Sequence, residues 1–226
     1  GFRGGERQTM LLIQALSEKG FKQKLIARKD SELTKRSQYL RGLDVIETNF
    51  FGLNAFSKVS EKSFFHFHDS RSFSSFYLYA FNKESNYIYT RRVQRSPKVS
   101  FMSKKIYKGA RCIVCLSSSI ENSVKNSFGK DTESIIIPSA SANFDYDSQK
   151  SSKVRKEIKQ KFIVGHIGEL DDSHKGQLDI IELARKSKSR ELDIGFVMVG
   201  SGRDESMLKK ESNSLDNIYF TGQIEN

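Results

Sequence analysis

Short apolar runs alternate with helix-like stretches along almost the whole chain, and this alternation constrains the fold more than any other feature. Thr9 to Leu16 places Leu12, Ile13 and Leu16 on one helical face, with Gly20 as a stop. Strand-like runs follow at Lys24 to Ala27, Asp44 to Glu47 and Ser63 to Phe67. Ser72 to Phe81 reads as an aromatic-rich helix, Tyr87 to Thr90 as a strand and Lys98 to Tyr107 as a basic helix. Arg111 to Leu116 reads as a strand leading into Ser118-Ser-Ile-Glu121, a capping-box pattern that opens a helix to Phe128. Ser134 to Ile137 closes this series before Pro138. Residues 139–160 are small and polar and break the pattern as a linker. Strand and helix then resume at Phe162 to Ile167, Gly176 to Lys186, Ile194 to Val199, Asp204 to Glu211 and Ile218 to Phe220. Strands separated by helices pair through crossovers, which gives parallel sheets with helices on both faces. The expectation is α/β: a Rossmann-like domain over 1–145, a linker over 146–160, and the start of a second such domain over 161–226. The first lacks a strand before Gly4, and the second stops after three strands.

Such a core needs apolar volume, and 37% hydrophobic residues with 17 Phe supply it. No apolar run approaches the roughly 20 residues that span a bilayer. The first seven residues are not followed by the apolar stretch of a signal peptide. Cys112 and Cys115 stand three apart on one apolar strand and so point to opposite faces. A metal would need two further ligands and a redox pair a helix start, so both read as core thiols. Reduced thiols without a signal peptide imply a cytoplasmic setting.

The charge is uneven. Residues 1–150 hold 25 Lys/Arg against 14 Asp/Glu, whereas 151–226 hold 13 of each. Between positions 91 and 111 stand eight basic residues and no acid. That block is either a solvated basic face or a surface for phosphate, anionic lipid or nucleic acid. Phe101 and Tyr107 interleave with it, but no single-strand-binding motif accompanies them, so no specific nucleic-acid partner is expected.

Glycines sit where ligand loops of α/β sheets fall. Gly4-Gly5 precedes the first helix, where backbone N–H groups attract anions. Gly165-His-Ile-Gly168 ends a strand, and Lys175-Gly176 opens the next helix after a polar loop. Lys175 is either a solvated lysine or a phosphate-neutralising one. Gly195-Phe-Val-Met-Val-Gly200-Ser-Gly202 ends the following strand in the same way, so two adjacent glycine-rich strand ends would line one crevice for a phosphate or nucleotide. No Gly-x-Gly-x-x-Gly follows a strand with an acid about 20 positions on, which argues against a dinucleotide oxidoreductase.

In Phe64-Phe-His-Phe-His-Asp69 the histidines alternate with phenylalanine, so His66 and His68 share a face. Three readings are open: a ligand cleft at the strand end, packing with hydrogen bonds, or two ligands of a metal whose third is not nearby in sequence. Arg91 follows another strand end and is a candidate cleft residue.

Eight stretches in order resemble the retaining glycosyltransferases of GT-B architecture, family 4-like, and cover nearly the whole chain. They are Gly4-Gly-Glu-Arg7, Phe65-His-Phe-His-Asp69, Tyr89-Thr-Arg-Arg-Val93, Ala110 to Ser117, Ile135-Ile-Ile-Pro138, Val164-Gly-His-Ile-Gly168, Lys175-Gly176 and Val197-Met-Val-Gly-Ser-Gly202. The resemblance implies a GT-B fold with two Rossmann-like domains, the second incomplete. It implies transfer with retention from a UDP- or GDP-linked sugar to a glycan or lipid-linked acceptor, in bacterial cell-surface polysaccharide or lipopolysaccharide synthesis. The enzyme would be cytoplasmic, peripheral on the inner membrane face through 91–111. On this resemblance Lys175 holds the donor diphosphate, Gly4, Gly5 and Glu6 close over it, and Gly168, Gly200 and Gly202 lie near the nucleotide. His68, Asp69 and Arg91 are then the catalytic candidates. Neither a metal nor another cofactor is called for, since the protein's own positive charge stabilises the leaving diphosphate. A basic α/β module for anionic membrane or nucleic acid, and a nucleotide-sugar epimerase of the same architecture, are the rival readings.

Two departures stand out. Where many members carry an arginine after the donor-loop glycine, this chain has Glu169, with Arg203 as a candidate substitute cation. The family's acidic motif for donor sugar and ribose would fall beyond Asn226, so this stretch by itself is expected to be inactive.

Overall fold

The computed structural model describes every residue except 1, 3, 50, 51, 61, 71, 80–85, 141–146, 225 and 226. The chain divides into two compact units, Gly1–Asn143 and Phe144–Asn226.

The first unit opens with α1 (Gly4–Glu18), β1 (Gln23–Arg28), α2 (Glu32–Ser37), β2 (Leu43–Thr48) and α3 (Leu53–Phe56). β1 and β2 pair in parallel, from Gln23 opposite Leu43 to Arg28 opposite Thr48. Then come β3 (Phe65–Phe67), α4 (Phe73–Tyr79), β4 (Tyr87–Arg91), α5 (Phe101–Gly109), β5 (Cys112–Cys115), α6 (Ser118–Phe128) and β6 (Ser134–Ile136). Their four strands form a parallel sheet in chain order, as crossover helices require.

An aromatic core fixes this sheet to its helices. Phe67 of β3 lies 4.6 Å from Phe76 of α4 between ring centroids, Phe73 lies 4.6 Å from Tyr89, and Tyr107 of α5 stacks on Phe128 at 4.1 Å. Each such pair adds about 1 kcal/mol to what the buried area provides. Tyr87, packed beside α5, donates to the Ile106 carbonyl at 2.7 Å, and burial pushes its pKa up to about 12. Cys115 is fully buried and its thiol is pushed up to about 11, mainly by burial. Cys112 is half-buried and unbridged.

Three local expectations change. Gly4 and Gly5 form the first turn of α1, and no loop separates them from it; the Thr9 hydroxyl returns a bond to the Gly5 carbonyl at 2.9 Å. The cap of α6 is Ser117, whose hydroxyl accepts the Ile120 amide, and not Ser118. Glu121 closes no capping box there, because Lys125 and the Ser134 hydroxyl hold its carboxylate at 3.1 and 2.7 Å. The third change lies in the second unit.

That unit comprises α7 (Ser148–Glu157), β7 (Phe162–Ile167), α8 (Asp172–Lys175), α9 (Gln177–Ser189), β8 (Ile194–Val199), α10 (Glu205–Glu211) and β9 (Ile218–Gly222). Helix α7 occupies most of the segment 146–160 read as linker. Its Lys, Arg, Gln and Glu are good helix formers even without an apolar stripe. Buried Ile158 and a bond from Arg155 to the Ile158 carbonyl at 2.8 Å anchor its end. The three strands pair in parallel in the order β7-β8-β9. Leu170, Ile181, Met198 and Leu208, all fully buried, form the centre of this unit. Gly176, at φ 66°, precedes α9, the helix expected to open at Lys175-Gly176, and the four-residue α8 adds one turn to the polar loop before it. Among the described residues no helix is long and apolar enough to cross a membrane.

Candidate functional site

In the second unit the two glycine-rich strand ends lie against each other. Gly168 donates to the Val199 carbonyl at 3.0 Å, Leu170 to the Ser201 carbonyl at 3.1 Å, and Asp204 to the Leu170 carbonyl at 3.1 Å. This approach requires glycine. A Cβ on Gly200, at φ 137°, would lie 2.0 Å from the Gly168 carbonyl oxygen, and one on Gly202 would lie 2.3 Å from that of Leu170. Both glycines therefore have a packing reason for their identity, beside the place near the nucleotide that the resemblance implies.

Lys175 ends α8, immediately before the left-handed Gly176 that starts α9. Its side chain reaches back over Gly168, with Cε 3.9 Å from where a Cβ would sit. The residue is exposed, and among the described residues it forms no ion pair. The loop below is held by carboxylates. Asp172 accepts the Leu178 amide of α9 at 2.7 Å, and Asp204 accepts the Asp172 amide at 2.8 Å. Glu169 is exposed, and its carbonyl accepts from the fully buried Gln177 at 2.9 Å. Arg203, the candidate replacement cation, already donates to Asp171 and to Ser173 at 2.8 Å each. The Ser173 hydroxyl, then His174 and Arg203, hold Asp171 down at about 2.

In the first unit the expected histidines do share a face. The rings of His66 and His68 stand 4.1 Å apart between centroids, and His66 Nε2 lies 2.7 Å from the Thr90 hydroxyl. Burial first, and then Arg92, keeps the His66 pKa at about 4; burial, His66 and Arg92 keep His68 at about 3. Both rings are neutral near pH 7. His68 Nδ1 lies 3.3 Å from Arg92 Nη2. A guanidinium only donates, so Nδ1 accepts and the His68 proton sits on Nε2. Asp69 does not share that bond: its carboxylate accepts the Ser72 amide at 3.3 Å, in the turn before α4.

Arg91, the expected cleft residue, is not beside the histidines; its neighbour Arg92 is. Arg91 is buried on the core side, donating to the Tyr107 hydroxyl at 3.0 Å and to the Arg95 carbonyl. Arg92 joins the histidines and packs its Cδ 3.5 Å from the Cβ position of Gly5. Strand parity carries the signal that would have found it. Tyr87, Tyr89 and Arg91 lie on the core face, whereas His66, Thr90 and Arg92 belong to the other. Glu6 is half-buried in the first turn of α1 beside this cluster's glycine. Among the described residues no group of three His, Cys, Asp or Glu side chains is arranged to hold a metal ion.

No protein-family model and no curated protein matches the sequence. Solved structures do match in fold. A glycosyltransferase from Rickettsia africae superposes with a TM-score of 0.77 at 17% identity, over 100% of this chain and 66% of that one. Anabaena HepE, solved with UDP and glucose, gives 0.75 at 14% identity, over 100% of this chain and 67% of its own. The sucrose-phosphate synthase of Thermosynechococcus elongatus gives 0.71 at 15%, over 99% and 66%. The chain thus spans about two thirds of the length of these proteins. At such identities the likeness establishes a shared fold.

Proposed function

We propose that this chain, which has the GT-B glycosyltransferase fold, is part of an enzyme that transfers a sugar with retention from a nucleoside-diphosphate sugar to a glycan or lipid-linked acceptor. The observation that carries this reading is the second unit's pair of interlocked glycine loops, with the exposed Lys175 lying over Gly168. A strand end with no side chain at 168 lets a diphosphate approach the backbone, and an ammonium at that edge offsets the charge that develops as the diphosphate leaves. Lys175 makes no ion pair with a described residue, so binding an anion there breaks none. HepE was solved with UDP and with UDP-glucose, which favours UDP over GDP as the nucleotide to test first. Transfer on the face from which the diphosphate departs depends on positioning more than on a protein base.

We also infer that the first unit meets an anionic membrane through 91–111, as a peripheral enzyme of cell-surface polysaccharide synthesis on the cytoplasmic face. On α5, Phe101 is 75% exposed, and Leu78 on α4 is 63% exposed. Lys105 lies 4.8 Å over the Phe101 ring, and Lys104 and Lys108 extend the basic face. Exposed apolar tips within a lysine cluster suit the headgroup boundary of anionic lipid.

The donor assignment is tested by calorimetry with UDP and UDP-glucose. Lys175→Ala should weaken binding by about tenfold or more through loss of a charge-assisted contact. Equal affinity in the variant rejects Lys175, and no binding of any nucleoside diphosphate by the parent protein rejects the donor site itself. Anomeric configuration of the product, read by NMR on a chain that turns over, tests retention.

A further inference from the structure

We propose that Arg203 and Asp171 are positioning residues for Lys175, acting on it by clamping the two glycine-rich loops of the second unit together. The proposal rests on the donor reading above, in which Lys175 meets a diphosphate, and it concerns this unit alone.

Lys175 stands at the end of a segment with little to hold it in place. Helix α8 is a single turn of four residues, and one turn is not stable in water by itself. Residues 173–175 are exposed, and none from 171 to 176 is buried, so no apolar contact pins the turn. Its N-cap, Asp171, makes no side-chain bond to the amides that follow. Within the turn, Lys175 donates its amide to the Asp171 carbonyl at 3.0 Å, so the place of Lys175 follows from that of Asp171.

The missing support comes from the loop after β8. Arg203 Nη2 bridges Asp171 Oδ1 and Ser173 Oγ, at 2.8 Å each. The Ser173 hydroxyl donates to the same Asp171 oxygen at 2.7 Å, which closes a triangle of bonds around it. Asp204 accepts the Asp172 amide at 2.8 Å and donates its own amide to the Leu170 carbonyl at 3.1 Å. Residues 170 to 173 are thus each held by 203 or 204. The guanidinium also starts from a fixed point, because Gly202 packs on the Leu170 backbone too closely for a side chain.

This arrangement decides between two roles for Arg203. As a substitute phosphate ligand it would have to leave Asp171 and Ser173, exchanging one anion for another. As a clamp it keeps both bonds while Lys175, over Gly168, meets the anion. The two roles predict opposite signs for Asp171→Asn. A clamp loses its charged anchor and UDP binds more weakly, whereas a ligand is released and UDP binds more tightly.

The test is calorimetry with UDP on the whole chain, with the melting temperature of each protein recorded. Parent is compared with Arg203→Met, Arg203→Lys, Asp171→Asn, Lys175→Ala and the pairing of Arg203→Met with Lys175→Ala. Arg203→Met should weaken UDP by about three- to tenfold in the parent and by less than about twofold once Lys175 is gone, since the arginine acts only through the lysine. Asp171→Asn should weaken UDP as well, and Arg203→Lys, which keeps the charge and loses the planar fork, should recover part of the loss. Losses that simply add in the double variant, or tighter UDP binding by Asp171→Asn, make Arg203 a ligand and overturn the proposal. A lowered melting temperature with unchanged affinity also overturns it, leaving a purely structural contact. Should Arg203→Met not fold, Asp171→Asn with and without Lys175→Ala gives the same comparison. Binding that is weakened in Lys175→Ala but untouched in Arg203→Met sinks the clamp and spares the donor reading; no UDP binding by the parent sinks both.

Discussion

At the scale of single residues, two glycines and two histidines respond most sharply to their surroundings. Gly202→Ala would drive a methyl group to 2.3 Å from the Leu170 carbonyl, forcing the two loops apart. Urea unfolding should show a loss of about 3 kcal/mol, in the range of severe core strain. Gly165→Ala, where nothing lies within 4 Å, should stay within about 0.5 kcal/mol. Equal effects would show that the loops do not meet as described. His66 and His68, at about 4 and about 3 in the fold against 6.5 in the unfolded chain, make stability depend on pH. The unfolded chain takes up protons first, so their contribution is complete above pH 6.5 and is lost progressively as pH falls toward 3. Melting temperature should therefore fall more steeply between pH 7 and 4.5 in the parent than in His68→Gln. Parallel pH profiles for the two proteins would mean that His68 is solvated.

Among the elements, local chemistry was legible wherever one residue type dominates a turn, and less so where partners come from elsewhere. Of the adjacent serines Ser117, Ser118 and Ser119, the capping-box spacing to Glu121 points to Ser118, but the extended backbone at Ser117 makes that residue the cap. Ser117→Ala should cost about 1 kcal/mol in thermal or urea unfolding, and Ser118→Ala should be near neutral. The reverse order would restore the capping box with Glu121. Helix α7 escaped notice because periodicity depends on apolar residues, of which it has one, Val154. The single turn of α8 was also hidden, since Asp172 to Lys175 are polar and read as loop, whereas the start of α9 after Lys175-Gly176 was legible. Parity along β4 was legible from Tyr87 and Tyr89 and would have assigned Arg92 instead of Arg91 to the histidine face.

For the whole molecule, charge divides more unevenly than apolar content. The basic excess belongs to residues 1–150, where α5 and its exposed Phe101 lie, while 151–226 is neutral. Cosedimentation with vesicles containing phosphatidylglycerol should retain the parent protein at low salt. Reversal to Lys104→Glu, Lys105→Glu and Lys108→Glu should release most of it, at roughly 1 kcal/mol per charge near the surface. Sedimentation that does not change would reject the membrane face, and capture by neutral vesicles alone would show that charge is not the cause.

The sequence by itself determined the parallel α/β order, the aromatic core and the two glycine-rich strand ends. Period and parity are local properties that any strand or helix must satisfy to bury one face. Only the tertiary structure decided that Arg203 is already bound to Asp171, and that Gly200 and Gly202 serve the approach of two backbones. Those outcomes depend on distances between segments far apart in the chain. A residue's own neighbours carry no record of such distances, because counter-charges and close contacts are chosen only when the loops meet.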